Sequence, residues 1–270
     1  MTTWNQCQHH YDSIFETFQD YLETQIANVN ANTIALGVQL AILQKFQINM
    51  ICARDFIPYV SEDQKKFLSL GLVLRGIISD VINYRYLNKV RTSVGLDEFE
   101  IESKVLDRDF VEAYGKMIGQ EAILASADQE TKTAIAASFQ NQFGALHVDN
   151  KLMTGTQIRN SETFKANMSA YLQTINKPDL HYAREAGKLQ FVVDDDSSII
   201  EILYKYLSQL QHFSLIGRKM YTMDGFLDFN PHITLLTLFL MAKVIRQIAL
   251  DVAPHQPTLT ALDTFINAFV

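Results

Sequence analysis

Apolar residues recur along most of the chain at steps of three and four, which is the spacing of one face of an α-helix. The first run of this kind includes Ile14 and Phe18, and a second begins with Ile34 and Val38. The asparagine-rich residues 28–32 interrupt the periodicity between them. The pattern therefore predicts two helices joined near residues 28–32.

A third helix is predicted from about residue 62 to residue 89. Ser61 and Gln64 have the spacing of a capping box, and Pro58 lies just upstream. The apolar residues that follow cover nearly every side of the helix: Phe67, Leu68, Leu70, Leu72, Val73, Leu74, Ile77, Ile78, Val81 and Ile82. Because this pattern is typical of a helix surrounded by other helices, we expect it to be central and the most buried element.

The middle of the chain predicts a surface helix and a shorter one within residues 97–142, and another helix over residues 161–175. Residues 143–160 contain Gly144 and Gly155 and lack helical periodicity. They are therefore predicted to form the longest loop and to hold any subdomain boundary.

The last third of the chain begins with a predicted short helix over residues 180–187 that ends at Gly187. Residues 189–193 resemble a strand, but we interpret them as an extended connector, with a lone strand as the alternative. Further helices are predicted at residues 199–213, 230–252 and 259–269.

Proline and glycine are scarce, at 5 and 11 of 270 residues, so few positions force a helix to break. We expect an all-α, single-domain multi-helix bundle over residues 1–270 with a buried central helix, and any subdivision near residues 143–160. The apolar runs 34–43 and 233–242 are shorter than the roughly 20 residues of a membrane span. They are predicted to be core helices, and no membrane association is expected.

The charge balance is acidic, with 23 basic and 30 acidic residues and a formal net charge of −7. Affinity for phosphate backbones comes largely from clustered Lys and Arg, so this composition argues against nucleic-acid binding. Cys7 and Cys52 have no disulfide or zinc spacing, and the first ten residues lack a signal-peptide pattern. We therefore expect a cytoplasmic protein.

The common catalytic and cofactor motifs are absent from the sequence. The seven histidines form no metal-binding spacing, and the chain has no phosphate loop, dinucleotide fingerprint or nucleophile elbow. We expect neither a metal nor a cofactor. Asp194, Asp195 and Asp196 form an acidic cluster that either binds a metal or caps the following helix, and capping is favoured because negative charge suits a helix N-terminus.

Arg75 and Asp80 are the most informative charges, because they interrupt an otherwise apolar helix. A buried ion without a partner is costly, so each must be paired. Five residues separate the two by about 140° around the helix axis, so each must contact a different neighbouring helix. They serve either as structural cross-bracing or as the lining of a polar pocket.

The helix over residues 199–213 carries a polar stripe that includes Lys205, Ser208 and His212. His212 lies near the helix end, where it is either a partner of the helix dipole or a catalytic group. Asp80 needs a donor, and this stripe is the coherent polar surface among the later helices. We therefore expect Asp80 and His212 to face the same interior cavity.

The sequence around this polar stripe also resembles that of known helical proteins. Tyr204-Lys-Tyr-Leu-Ser208-Gln-Leu-Gln-His212, preceded by Leu-His-Tyr-Ala-Arg-Glu-Ala-Gly at 180–187, resembles the later helices of a family of bacterial all-helical proteins of unassigned activity. In that family a Tyr-x-x-Leu-Ser-x-x-x-His helix packs with an earlier Leu-Arg-x-x-x-Glu helix. Residues 73–87 are similar to the earlier helix, although the acid follows the arginine by five residues instead of four.

Some members of that family resemble the HEPN superfamily, which includes ribonucleases with an Arg-x(4 to 6)-His motif. Here Lys205 or Ser208 takes the place of that arginine, so the cation expected to stabilise a phosphorane is missing from the motif. A metal-independent ribonuclease is therefore the second hypothesis. The first is a helical protein that binds a small molecule or protein partner in a central polar site formed by Arg75, Asp80, Ser208 and His212. Enzyme activity and a homodimer both stay open.

Overall fold

The computed structural model describes residues 2–27, 29–30, 33–149, 151–160, 162–178, 184–211, 226–252 and 259–269. The described chain is predominantly helical, so the predicted all-α multi-helix bundle is confirmed. Its α-helices are α1 (Trp4–Tyr21), α2 (Ile34–Glu62), α3 (Phe67–Ser93), α4 (Leu96–Leu124), α5 (Gln129–Gln142), α6 (Gly155–Ile158), α7 (Glu162–Thr174), α8 (Glu185–Phe191), α9 (Ser197–Gln211), α10 (Asn230–Val252) and α11 (Thr260–Ala268).

Shorter elements connect these helices. A π-helical turn at Leu22–Ile26 extends α1, and 3₁₀ turns lie at Gln64–Lys66, Gly144–Leu146 and Phe226–Phe229. The strands in the described residues are β1 (His147–Val148) and β2 (Lys151–Leu152), an antiparallel pair in which His147 is opposite Leu152.

The chain forms two compact units, one of Met1–Tyr86 with Leu180–Val270 and one of Leu87–Asp179. The boundaries therefore lie within α3 and before α8, whereas residues 143–160 are internal to the second unit. The second unit contains α4 to α7 and the short hairpin. Folding of the whole chain as one domain stays a prediction.

Local capping signals define where the first two helices begin. The Thr3 hydroxyl accepts a hydrogen bond from the backbone N–H of Gln6, and the Gln6 side chain accepts one from the backbone N–H of Thr3. This reciprocal pair satisfies two amide groups that have no partner within the helix. The Thr33 hydroxyl caps α2 in the same way by accepting from the backbone N–H of Leu36 at 3.2 Å.

The predicted start of the third helix is wrong by several residues. Ser61 belongs to the last turn of α2, which continues to Glu62 with Pro58 inside it. The break falls at Asp63, whose backbone is extended and whose carboxylate accepts from the backbone N–H of Lys65 at 3.1 Å. Asp63 therefore starts the 3₁₀ turn that precedes α3, a role that the side chains of Asp residues commonly take.

The predictions for residues 180–193 also need correction. Residues 184–193 contain α8, which starts at Glu185 and continues through Gly187 to Phe191. The strand-like residues up to Phe191 are thus helical, neither a strand nor an extended connector. Phe191 is fully buried and its ring lies 5.1 Å from that of Tyr86. Packing of this kind overrides the weak β preference of a short apolar run.

The third helix, α3, was expected to be the most buried element, but α10 is more buried. In an apolar 18-residue stretch of each helix, the buried share is 67% in α10 and 61% in α3. Both contribute to the core of the first unit, together with buried side chains of α1, α2, α9 and α11.

Three helices of the described chain, α2, α3 and α10, are long and apolar enough to cross a membrane when judged by length and composition. The expectation that the apolar runs are too short is therefore wrong, because the helices extend beyond those runs. A cytoplasmic location without a membrane span stays a prediction.

Two glycines of α3 give opposite expectations for substitution by alanine. A Cβ at Gly71 would collide with Leu210 Cδ1 of α9, whereas no described atom of a neighbouring element lies within 4 Å of a Cβ at Gly76. Alanine is better than glycine within a helix by about 1 kcal/mol.

We therefore expect Gly76→Ala to raise the free energy of unfolding by up to about 1 kcal/mol and Gly71→Ala to lower it. Urea denaturation of both variants measures the difference. Equal effects at the two positions would contradict the described packing of α9 on α3.

Candidate functional site

Arg75 is a buried cation on α3, and its side chain is only 8% exposed. Its two terminal nitrogens donate to the two carboxylate oxygens of Glu185 on α8, at 3.2 and 2.5 Å. A two-point contact of this kind fixes the relative orientation of guanidinium and carboxylate. Arg75 thereby connects α3 to the first residue of α8.

The remaining contacts of Arg75 involve hydroxyl groups and one aromatic ring. Its Nε donates to Ser208 Oγ of α9 at 2.9 Å, and one terminal nitrogen also donates to Ser79 Oγ. The guanidinium carbon lies 4.3 Å from the centre of the Tyr204 ring. Arginine thus has charged, polar and aromatic partners, which together offset the cost of removing it from water.

A glycine permits this close approach of α9. Gly71 lies one turn before Arg75, and any larger side chain there would meet Leu210. Because Leu210 follows Ser208 by two residues, the contact brings this part of α9 within reach of Arg75. The close packing of α3 on α9 at Gly71 and the polar contact of Arg75 with Ser208 therefore lie about one helical turn apart along α3.

Asp80 is paired on the opposite flank of α3. Its carboxylate accepts from Lys45 Nζ at 2.6 Å and from Asn49 Nδ2 at 3.4 Å, both on α2. Arg75 and Asp80 therefore contact different helices, as their separation around α3 predicts. Among the described residues the donors to Asp80 come from α2, and His212, the donor expected from a later helix, lies outside the described residues.

The two carboxylates differ in their electrostatics. Burial raises the pKa of Asp80, and the hydrogen bond and charge of Lys45 only partly oppose this. Burial also acts to raise the pKa of Glu185, but hydrogen bonds from Arg75 and Ser79 and the charge of Arg75 outweigh it and lower the pKa overall. Glu185 is thus held in its ionised form, whereas the site disfavours ionisation of Asp80.

Gly76 and Ser79 lie on the surface of α3 between these two ion pairs. Ser79 lies about 40° and Gly76 about 100° from Arg75 around the helix. Asp80 follows at about 140° in the same direction. We call this part of the surface the α3 groove: it consists of Gly76 and Ser79 with the Arg75–Glu185 pair on one side and the Lys45–Asp80 pair on the other. A Cβ at Gly76 would have no described atom of a neighbouring element within 4 Å.

The acidic cluster before α9 is held by cations. Asp196 accepts from Arg85 at 3.1 Å and from Lys243 at 2.6 Å, and Asp194 also accepts from Arg85. Asp194 Oδ1 lies 3.0 Å from the hydroxyl of Ser197, the first residue of α9. Among the described residues no group of three or more His, Cys, Asp or Glu side chains could hold a metal ion.

The structure brings together only part of the predicted site. Arg75 and Ser208 are in direct contact, Asp80 lies on the other flank, and His212 is outside the described residues. The expectation that Asp80 and His212 share a cavity therefore stays a prediction.

Sequence reasoning missed four participants: Lys45, Ser79, Glu185 and Tyr204. Three of them had a signal. Tyr204 precedes Ser208 by one helical turn, and Glu185 belongs to the run quoted at residues 180–187. Ser79 is one turn after Arg75 and could have been found in the same way. Lys45 carried no signal, because nothing in the sequence states which face of α2 meets α3.

The two carboxylates should respond oppositely to neutralisation. Glu185→Gln leaves Arg75 without a counter-charge, so we expect the free energy of unfolding at pH 7 to fall by about 2 kcal/mol, reduced from the fully buried case by partial solvent exposure. Asp80→Asn removes a poorly solvated charge and leaves Lys45 in water. We expect its stability at pH 7 to be unchanged or increased.

The pH dependence follows from the directions of the two pKa shifts. A lowered pKa for Glu185 gives stability that is present above the unfolded pKa of about 4.3 and is lost as pH falls through the folded value. The raised pKa of Asp80 acts in the opposite sense, so its contribution to stability decreases as pH rises. Denaturation between pH 3 and 7 measures both effects, and a Glu185→Gln deficit that does not shrink between pH 7 and pH 3 would contradict the assignment.

Comparison with known proteins gives no match: no family model, curated protein or solved structure is similar to the chain. The resemblance to HEPN-like proteins therefore stays a prediction, and the site has to be interpreted from its own geometry.

Proposed function

We propose that this protein binds a small molecule in the α3 groove. The observation that carries the proposal is the open space above Gly76, bounded on both edges by ion pairs with one buried partner each. Recognition sites are commonly concave and contain a few fixed polar groups that orient the ligand. Arg75 and Asp80 lie on the edges of this groove, and Ser208 supports Arg75 from α9.

The identity of residue 76 supports a binding role. Glycine within a helix is less favourable than alanine by about 1 kcal/mol. At Gly71 this cost has a structural reason, because α9 lies against it, but at Gly76 no described neighbour requires the absence of a side chain. Gly119 of α4 has the same open space, so Gly76 supports the proposal only together with the two ion pairs that flank it.

The fixed charges also favour binding over simple bracing. Lys45 and Glu185 remain partly accessible to solvent, with 60% and 28% of their side chains exposed. A purely structural brace gains nothing from accessible partners. The floor adds the half-buried hydroxyl of Ser79, and exposed Leu72 lies one turn before Gly76. Polar and apolar contacts are therefore both available to a small molecule.

A ribonuclease is retained as the second candidate because of one contact. The argument against it is the missing arginine before His212, yet Arg75 donates to Ser208, which precedes that histidine by four residues in the sequence. A cation from α3 could thus serve where the motif lacks one. Cleavage of single-stranded RNA without metal, abolished by His212→Ala, would favour this candidate, and intact RNA would exclude it.

A matched pair of glycine substitutions tests the binding proposal. Gly76→Leu places a side chain in the α3 groove, and Gly119→Leu places the same side chain above a glycine of α4 that also has open space. Both variants should fold, because leucine is a good helix former.

The measurement is a thermal-shift screen of the wild type and both variants against a library of polar metabolites. We expect compounds that raise the midpoint of the wild type to do so equally in Gly119→Leu and to lose the effect in Gly76→Leu. Compounds that stabilise Gly76→Leu as much as the wild type would contradict a site in the groove.

A further inference from the structure

Helix α2 is buried along one side and exposed along the other. Its buried residues recur at alternating steps of four and three, which is the spacing of a coiled-coil seam: Gln39, Leu43, Phe46, Met50, Ala53, Ile57 and Val60. Only 22% of the apolar 18-residue stretch of α2 is buried, compared with 61% in α3 and 67% in α10. Much of the apolar surface of α2 therefore lies in contact with solvent.

A second series with the same spacing lies on the exposed side of α2. We call it the outer seam, and its residues are Ile34, Val38, Ala41, Lys45, Ile48, Cys52, Asp55, Tyr59 and Glu62. Ile48 is two residues from both Phe46 and Met50, and two residues turn a helix by about 200°, so the outer seam faces away from the core. No residue of the outer seam is buried, and Ile48 and Tyr59 are 60% and 56% exposed.

Two opposite charges lie symmetrically about the middle of the outer seam. Lys45 is five residues before residue 50 and Asp55 is five residues after it, and both are exposed. When two copies of α2 pack antiparallel with a two-fold axis at residue 50, Lys45 of each copy lies opposite Asp55 of the other. A parallel pair in register would instead place like charges side by side, which is unfavourable in an interface. The charges therefore favour the antiparallel arrangement.

The same axis also matches the sizes of the apolar side chains. It places Ile48 opposite Cys52, and Ala41 opposite Tyr59. Two side chains of moderate size thus meet beside the axis, and the small Ala41 leaves room for the large ring of Tyr59. Alternation of large and small residues across facing positions lets two helices interdigitate. The outer seam is therefore complementary to itself in both charge and shape.

From this pattern we infer that two copies of the chain form a homodimer by antiparallel packing of α2 along the outer seam. A two-fold contact uses the same surface of both copies, so it requires a surface of this self-complementary kind. Lys45 has three ammonium protons and can keep its bond to Asp80 while it donates to Asp55 of the other copy. Removal of Ile48 and Tyr59 from water favours the association.

A second copy accounts for the outer seam better than a membrane does. Helix α2 is long and apolar enough to cross a bilayer, but Lys45 and Asp55 lie within the outer seam, and charged side chains are costly in hydrocarbon. In the antiparallel dimer the same two side chains pair with each other. The charges that oppose insertion into lipid thus support association of two copies.

Sedimentation of the full-length protein over a range of concentrations measures the association. We expect a monomer–dimer equilibrium in the wild type. Ile48→Glu places a carboxylate beside the two-fold axis and should raise the dissociation constant at least about ten-fold. Ile202→Glu is the matched control, because Ile202 of α9 is 63% exposed and lies outside the outer seam. It should associate as the wild type does.

Cysteine cross-linking measures the orientation of the two copies. The wild type, which has Cys52, is mixed with the variant Ile48→Cys/Cys52→Ala and oxidised with copper phenanthroline. Cys7 is fully buried and is not expected to react. Because residue 48 of one copy lies opposite residue 52 of the other, we expect a higher yield of disulfide-linked dimer in the mixture than in either protein alone.

Four results would overturn the antiparallel homodimer. The first is a wild type that stays monomeric up to about 100 μM, a concentration at which even weak specific pairs associate. The second is an equal loss of association in Ile48→Glu and Ile202→Glu, which would show a general charge effect. The third is a cross-linking yield that is no higher in the mixture than in the separate proteins. The fourth is a monomer that binds phosphatidylcholine vesicles and loses this binding in Ile48→Glu, which would assign the outer seam to a membrane.

Discussion

The ion pair between Arg75 and Glu185 is the constraint on which the arrangement of the first unit depends. A guanidinium that is 8% exposed is tolerated only if its donors are satisfied. Glu185 provides two acceptors, and hydroxyls from α3 and α9 provide the others. Glu185 and Ser208 come from segments more than 100 residues away in sequence. The requirement to satisfy one cation thus fixes α8 and α9 against the middle of α3.

The same constraint shapes the space above α3. Arg75 holds α8 and α9 on one side, and Asp80 holds the Lys45 side chain of α2 on the other. Gly76 lies between these directions and leaves the helix surface open. Helices that pack around a central helix ordinarily fill such a space with side chains. Here the ion pairs on either side make this part of the α3 surface polar.

Much of the architecture could be predicted from the spacing of apolar residues. The limits of α7, α10 and α11 agree with the sequence pattern within one or two residues, because each is bounded by polar or proline-containing segments. The break between α2 and α3 could not be predicted, since the Ser61 capping signal competes with a local turn at Asp63 that only the folded chain selects. For the site, the pairing of Arg75 and Asp80 with different helices followed from helix geometry. Lys45 could not be found, because its role depends on how α2 packs against α3.

The most direct test of this account is a double-mutant cycle on the ion pair. Arg75→Met, Glu185→Gln and the double variant are compared with the wild type by the free energy of unfolding at neutral pH. If the pair fixes α8 on α3, the two substitutions should be coupled by about 1–3 kcal/mol, the range for residues in direct contact within a network. Additive effects, with a coupling energy near zero, would contradict the central role given to Arg75.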